Sequence, residues 1–147
     1  NAWHSMAQWQ RDQAIVAEAY KDNGKYVGLQ CKAWVQQIIS RASGGYVWVP
    51  LNNPPPNDYY WQNDPYGHVV GMSMPIQYVP VGWVVQMRSK TGTPHTAIVV
   101  GQTSTTVTFI DSNWRFDESV IVHTLTHAQF RNDYEGYPGG YVVYYIL

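Results

Sequence analysis

Apolar residues in the first 45 positions recur at helical spacing. The segment "SMAQ" (5–8) predicts a helix start, with Ser5 as the N-cap and Gln8 three residues later completing a capping box. Four apolar residues then recur with a helical period, namely Trp9, Val16, Ala19 and Tyr20. Gly24 predicts the end of this helix. A second helix is predicted from about residue 31 to about residue 41, before two consecutive glycines.

After residue 45 the pattern changes to short runs of β-branched and aromatic residues. These runs predict strands at residues 81–87, 95–101, 106–111, 119–124 and 141–147. A short helix capped by Thr126 is predicted between the last two strands. Helices followed by strands, without an internal repeat or a linker, predict one α+β domain over residues 1–147. We expect the second helix to pack on an antiparallel sheet of about five strands.

The segment 50–71 fits neither period. It is rich in Pro and Asn and carries several aromatic side chains, among them Tyr59, Tyr60 and Trp61. A loop of this length in a small domain usually serves a binding site or closes over one. We therefore expect the segment to border a site, where its rings could stack on sugar rings. The alternative is that the rings only fasten the loop to the body of the protein.

Composition excludes several classes of function. Apolar residues make up 45% of the 147 positions and charged residues 13%, which is typical of a globular protein that needs no disulfide or metal. The net charge is −1 and Lys and Arg are scattered singly, so we expect no nucleic-acid partner and no membrane-surface partner. No apolar run approaches the roughly 18 residues of a membrane span. The aromatic-rich, charge-poor composition favours a secreted, extracellular protein, which we expect to be a monomer; the family resemblance described below adds the cell wall as the expected location.

The single cysteine, Cys31, lies where the second helix is predicted to begin. Four apolar residues follow it at i+3, i+4, i+7 and i+8, namely Trp34, Val35, Ile38 and Ile39. Cys31 therefore shares the face that packs on the sheet, which is where a buried structural cysteine would lie. A reactive thiolate fits the same position, because the unpaired N–H groups at a helix N-terminus favour an anion and lower the pKa of a thiol.

The segment 93–114 offers a base for this thiol. We predict a hairpin around the loop 102–104, with three facing pairs: Val99 with Val107, Ala97 with Phe109, and His95 with Asp111. Asn113 follows two residues later on the same face. A Cys-His-polar site requires polar side chains gathered in this way. His95 would take the thiol proton, and a carboxylate or amide would fix the tautomer of its ring. The alternative is a surface hairpin with solvated polar ends.

Other combinations of residues predict no metal and no cofactor. His123 and His127 have a spacing found in zinc sites, but a strand-to-helix change is predicted between them and no third ligand is evident. The segment "KDNGK" (21–25) has too few carboxylates for a calcium loop. No glycine-rich loop follows a predicted strand, as a nucleotide site requires.

In order and spacing these motifs resemble the CHAP family, the cysteine- and histidine-dependent amidohydrolases/peptidases of the NlpC-type, papain-like superfamily. "GLQCKAWV" (28–35) resembles its Gly-x-Gln-Cys helix start, "PHTAIVVG" (94–101) its Gly-His-x-Ala-x-Val strand, and "DSNW" (111–114) its Glu-x-Asn-Trp motif. "VPVGWVVQM" (79–87) resembles its Pro-x-Gly-Asp strand. The likeness extends from about residue 15 to the C-terminus. Asp111, Pro94 and Trp83 depart from the family's Glu, Gly and Asp.

The resemblance implies a reduced papain-like fold and a cysteine-dependent amide hydrolase, with Cys31 as nucleophile and His95 as base. Asp111 and Asn113 would orient the imidazole, and Gln30 with the backbone N–H of Cys31 would stabilise the oxyanion. The implied substrate is bacterial peptidoglycan, cleaved as an amidase or as an endopeptidase. The candidate substrate-binding residues are aromatic: Tyr59, Tyr60, Trp61 and Trp114. Two alternatives remain open, a silent wall- or carbohydrate-binding module that uses segment 50–71 and an acyltransferase on the same triad.

Overall fold

In the described part of the chain, three helices come first and the strands follow them. The computed structural model describes residues 2–51, 59–61 and 67–147. The elements in chain order are α1 (Ala2–Ser5), α2 (Gln8–Tyr20), α3 (Cys31–Ala42), β1 (Val69–Met72), a 3-10 helix (Ile76–Tyr78), β2 (Val84–Arg88), β3 (Pro94–Gln102), β4 (Thr106–Ser112), β5 (Val120–Thr126), α4 (His127–Tyr134) and β6 (Gly140–Ile146). None of the helices in these described ranges has the length and apolar character needed to cross a bilayer.

The strands form one antiparallel sheet of six, in the order β1-β6-β2-β3-β4-β5. This confirms the predicted α+β, papain-like fold, with six strands in place of about five. The additional strand is β1, which pairs with β6 and lies at the end of the segment predicted as a loop. It is only four residues long and contains a glycine, so its sequence carries little strand signal. Pairing with the neighbouring strand β6 therefore decides its conformation.

Both faces of the sheet are covered by helices. On one face α2 and α3 pack, and the apolar face of α3 meets Ile98 and Ile110, as predicted for the helix that begins at Cys31. On the other face, α4 and the 3-10 helix pack on Ala97, Val99 and Phe109. α4 is the helix predicted before the last strand. His95 alternates with Thr96 along β3 and belongs to the face opposite α3.

The helix α2 begins later than predicted and is rotated about its axis. Its N-cap is Ala7, whereas Ser5 ends the short helix α1. Its buried face includes Asp12, while Trp9, predicted on the apolar face, is 61% exposed. The cause is tertiary: the Asp12 carboxylate accepts a hydrogen bond from Trp83 Nε1 at 3.2 Å, which turns this polar side of the helix towards the sheet.

The β3–β4 hairpin has a different register from the predicted one. Val99 lies opposite Phe109, two residues from its predicted partner. The last pair before the turn is Gln102 with Val107, so the turn lies later in the chain than predicted and moves the pairing there by three residues. A β-bulge between Val99 and Gly101 reduces the displacement to two. An even displacement keeps every side chain on its predicted face. His95 and Asp111 therefore share a face, as diagonal and not as directly opposed neighbours.

Candidate active site

The thiol of Cys31 lies at the N-terminus of α3, beside the first residues of β3. Gln30 is the N-cap in extended conformation, and its side chain makes no capping bond. The thiol is 9% exposed and interacts with the backbone of Thr96 and with the His95 imidazole. The helix lies on one face of the sheet and His95 projects from the other. The two meet because both lie at the same end of β3.

The His95 imidazole links the thiol to a buried carboxylate. Its Nε2 lies 2.9 Å from Oδ2 of Asp111, which has no exposed surface, so Nδ1 is the nitrogen left for the thiol. Burial alone would lower the pKa of His95, but hydrogen bonds to Asp111 and Cys31 raise it to about 9. Burial alone would raise the pKa of Cys31, but the hydrogen bond to His95 and its charge hold it below the ordinary thiol value. Shifts in these opposite directions favour a thiolate–imidazolium pair.

Of the two residues predicted to orient the imidazole, Asp111 is the one that contacts it. Asn113 has left-handed backbone geometry with φ of 70°, and its Oδ1 accepts the N–H of Glu118 at 3.0 Å. Its carbonyl accepts the N–H of Phe116 at 3.0 Å. The strand β4 ends at Ser112, and the side chain of Asn113 closes the turn that follows instead of continuing the face of His95 and Asp111.

A second histidine binds the same carboxylate and was not predicted to do so. Nε2 of His123, on β5, lies 2.6 Å from Oδ2 of Asp111. The His123 ring stacks on Trp114 at 4.1 Å between centroids, and Trp114 contacts His95 edge-on at 5.2 Å. The signal was present in the alternation of "SVIVHT", because pairing β5 with β4 puts His123 opposite Phe109, next to Asp111 on one face. His127 instead bonds Gln102, with its Nε2 2.8 Å from Oε1.

A cavity of about 630 Å³ opens on one side of the thiol. Its described lining includes Gln30, His95, Asn113 and Trp114, so the predicted oxyanion donor, one residue predicted to orient the imidazole and one predicted substrate-binding residue line it. Phe116 forms its rim, 81% exposed and with a φ of 61° that bulky side chains rarely adopt. No Asp, Glu, Lys or Arg is among its described lining residues. The cavity therefore suits an uncharged group with a flat face.

A smaller cavity of about 340 Å³ lies on the other side of the thiol. Tyr59 lines it, with its hydroxyl 3.7 Å from Sγ of Cys31 and 2.7 Å from Oγ1 of Thr96. Burial and the thiolate charge raise the pKa of Tyr59 well above its usual value, so the hydroxyl keeps its proton and can donate to a thiolate. Lys32 Nζ lies 4.8 Å from the centre of the Tyr59 ring, over its face. Part of segment 50–71 thus borders the thiol.

Two other aromatic residues of that segment do not face either cavity. Trp61 is fully buried: its Nε1 donates to the carbonyl of Pro50 at 2.8 Å and its ring packs edge-on against Tyr144. The prediction that Trp61 binds substrate is corrected, because a core side chain offers no surface to a ligand. Tyr60 is half-buried and its hydroxyl interacts with Arg88. For Tyr60 and Trp61 the alternative interpretation applies, in which the rings fasten the segment to the body of the protein. Residues 52–58 and 62–66 of segment 50–71, which was predicted to border or close over the site, lie outside the described residues.

The side chains gathered at the site are those of covalent acyl chemistry. In the ranges that the structure describes, no group of three or more His, Cys, Asp or Glu side chains is arranged to hold a metal ion. The residues that could act chemically are a thiol with a lowered pKa, an imidazole with a raised pKa and a buried carboxylate. Such a set can form and break a covalent acyl intermediate.

Comparison with known proteins shows a shared fold. No protein-family model and no curated protein matches the chain. Among solved structures it is similar to "The crystal structure of Ly7917 with the hydrolyzing product of MDP", with a TM-score of 0.65 and 13% identity over 92% of this chain. A second structure, "The crystal structure of Ly7917", matches with a TM-score of 0.63 and 16% identity over the same 92%. The chain spans 62% of the length of Ly7917. At these identities the likeness shows that this chain and Ly7917 share a fold.

Proposed function

We propose that this protein is a cysteine-dependent amide hydrolase that acts on bacterial peptidoglycan. The observation that carries the proposal is the chain of contacts from Cys31 through His95 to Asp111. A thiol at a helix N-terminus interacts with an imidazole whose Nε2 lies 2.9 Å from a fully buried carboxylate. This geometry generates a nucleophile and keeps a proton ready for the leaving group.

In the first half of the reaction the Cys31 thiolate attacks the carbonyl carbon of the amide. A C–S bond forms and the carbonyl oxygen becomes an oxyanion, to which Gln30 and the backbone N–H of Cys31 donate. His95 passes its Nδ1 proton to the amide nitrogen as the C–N bond breaks, which releases an amine and leaves a thioester on Cys31. Asp111 holds the ring and stabilises its charged form.

In the second half water attacks the thioester. His95 takes a proton from the water at Nδ1, a C–O bond forms, and the C–S bond breaks to return the thiolate. The product is a carboxylic acid, and the imidazolium is restored. An amine in place of water would give acyl transfer by the same groups.

The choice of peptidoglycan rests on two supports. One is the resemblance of the Cys31, His95 and Asp111 motifs to the CHAP family. The other is the fold shared with Ly7917, a structure of which contains the hydrolyzing product of MDP, a peptidoglycan fragment. The uncharged cavity with Trp114 and Phe116 at its edge suits a sugar face, and the two cavities flanking the thiol suit the two halves of an amide. With such a substrate, we propose that the protein acts outside the cell or in its wall.

Digestion of purified sacculi tests the proposal. The wild type should release soluble fragments, and Cys31→Ser and Cys31→Ala should release none while remaining folded by circular dichroism, because neither residue supplies a thiolate. Mass spectrometry of the fragments identifies the broken bond. In H₂¹⁸O, hydrolysis labels the new carboxyl group, whereas transfer to an amine leaves no label. Release by Cys31→Ser at the wild-type rate would refute thiolate attack, and binding without release by the wild type would favour the wall-binding module.

A further inference from the structure

His123 contacts the carboxylate of Asp111 from the side opposite His95. The two histidine Nε2 atoms lie 2.6 Å and 2.9 Å from the same oxygen, Oδ2. Among the described residues the other carboxylate oxygen, Oδ1, has no hydrogen-bond partner, and neither has Nδ1 of His123. Asp111 is fully buried, so these two N–H donors are what the structure provides for its charge.

We propose that His123 is a positioning residue that holds the Asp111 carboxylate turned towards His95. The inference rests on the proposed function, because it concerns how the Cys31–His95 pair is maintained. A carboxylate held by one hydrogen bond can rotate away from its partner, whereas a second donor on the same oxygen fixes its direction. With Asp111 displaced, the His95 imidazolium would lose its partner, and the thiol would then keep its own proton more often.

The surroundings of Asp111 leave this task to the two histidines. His95 approaches Asp111 from β3, and His123 approaches it from β5. Tyr134 of α4 lies nearby, whereas the Cys31 thiol of α3 interacts with His95. Burial and nearby carboxylates, including Asp111, raise the pKa of Tyr134 to about 12. Its hydroxyl is therefore neutral and does not compensate the charge of Asp111. Each histidine therefore supplies one donor that nothing else described replaces.

The contacts of His123 show which part of its ring is used. Its Nε2 faces Oδ2 of Asp111 and its Nδ1 lacks a described partner, so the contact that matters is the N–H donated from Nε2. Trp114 stacks on this ring at 4.1 Å and fixes its plane. A side chain of similar reach that carries an N–H donor, such as Gln, should therefore replace much of the function of His123, whereas Leu and the shorter Asn should not.

The test measures the reactivity of the Cys31 thiol, which needs no substrate. The rate of alkylation by iodoacetamide is followed against pH for the wild type and for His123→Leu, His123→Asn and His123→Gln. We expect Leu and Asn to move the thiol pKa up by about one unit and to lower kcat on sacculi about tenfold with little change in KM. Gln should recover most of both. His127→Leu is the matched control, since this buried histidine bonds Gln102 and not Asp111.

Two results would overturn the inference. One is a thiol pKa in His123→Asn equal to that of the wild type; the other is an equal shift in His127→Leu and His123→Leu, which would indicate a general structural effect. Should His123→Leu fail to fold, the comparison of Asn with Gln decides alone. Should the wild type cleave no sacculi, the proposed function fails while the alkylation series still tests His123.

Discussion

At the scale of single residues, the reactivity of Cys31 depends on groups that are distant in sequence. The helix N-terminus contributes unpaired N–H groups, which favour an anion. Burial alone would raise the pKa of the thiol, and the hydrogen bond and charge of His95 are the first of the contacts that lower it. Tyr59 adds a hydroxyl that can donate to a thiolate and covers one side of it. A structural cysteine would need none of these neighbours.

The pH dependence of activity follows from the directions of the two pKa shifts. The thiol pKa is lowered from its ordinary value by His95, and the pKa of His95 is raised to about 9 by Asp111 and Cys31. The ion pair therefore exists between the two values. We expect kcat/KM to rise as the pH passes upward through the lowered pKa of Cys31 and to fall as the pH passes through about 9, where His95 loses its proton.

Hydrolysis of a soluble amide substrate across pH 4–11, at constant ionic strength, measures this profile. His95→Ala serves as the comparison, because without the imidazole the thiol should titrate near its free value of about 8.5. A wild-type profile with a single midpoint at that value, and no decline on the alkaline side, would contradict the ion pair.

At the scale of elements, the turn after β4 separates two neighbouring polar residues into different tasks. Asp111 is the last position of the strand on the face that carries His95, and it bonds both histidines. Asn113 adopts φ of 70° and accepts the N–H of Glu118. Their spacing of two residues predicted a common role, and strand alternation supports such a prediction only while the strand continues. Here the strand ends at Ser112, so the chain turns before it reaches Asn113.

Substitutions at these two positions should have opposite consequences. Asn113→Gly should keep amide hydrolysis within about twofold of the wild type and change the free energy of unfolding by about 1 kcal/mol or less, because glycine adopts positive φ easily but loses the side-chain acceptor. Asp111→Asn should lower kcat by a factor on the order of 10³ or more, since a neutral amide does not stabilise the imidazolium. Kinetics on one soluble substrate and urea unfolding of both variants provide the measurements. An equal loss of kcat in both would show that Asn113, which lines the larger cavity, also acts on His95.

At the scale of the whole molecule, α2 is fastened to the sheet at the turn before β2. The N–H of Gly82 donates to the carbonyl of Val99 at 2.7 Å, and the adjacent Trp83 donates to Asp12. A Cβ on Gly82 would lie 2.5 Å from the Cβ of Asp12 and 2.6 Å from its carbonyl oxygen. The glycine of the "VPVGW" segment is thus a point of close contact between helix and sheet.

Gly82→Ala should therefore destabilise the fold strongly. Gly92 provides a matched control, because its φ of 92° is close to the 93° of Gly82 while nothing lies within 4 Å of its added Cβ. We expect Gly92→Ala to cost about 1–2 kcal/mol, from backbone strain alone. Gly82→Ala should cost at least about 2 kcal/mol more, from the displacement of α2. Chemical unfolding followed by tryptophan fluorescence compares them, and equal costs would show that the contact with Asp12 yields easily.

Local patterns in the sequence determined most of the elements and which polar side chains share a face of the sheet. The helix α3 and its buried face, the cap of α4 at Thr126 and five of the six strands follow from spacings within a few residues. The grouping of His95 with Asp111 followed from strand alternation. Such features are readable because helix and strand periods are properties of the chain itself.

Only the tertiary structure decided the features that depend on partners far along the chain. The bulge after Val99 set the register, and pairing with β6 created β1. The thiol and the imidazole approach from opposite faces of the sheet, so no periodicity within either segment brings them together. His123 reached Asp111 only because β5 pairs with β4, and Trp61 entered the core through contacts with Pro50 and Tyr144. These outcomes depend on packing and hydrogen bonds between distant segments, because an alternating or aromatic residue has the same local pattern whichever neighbour it finally meets.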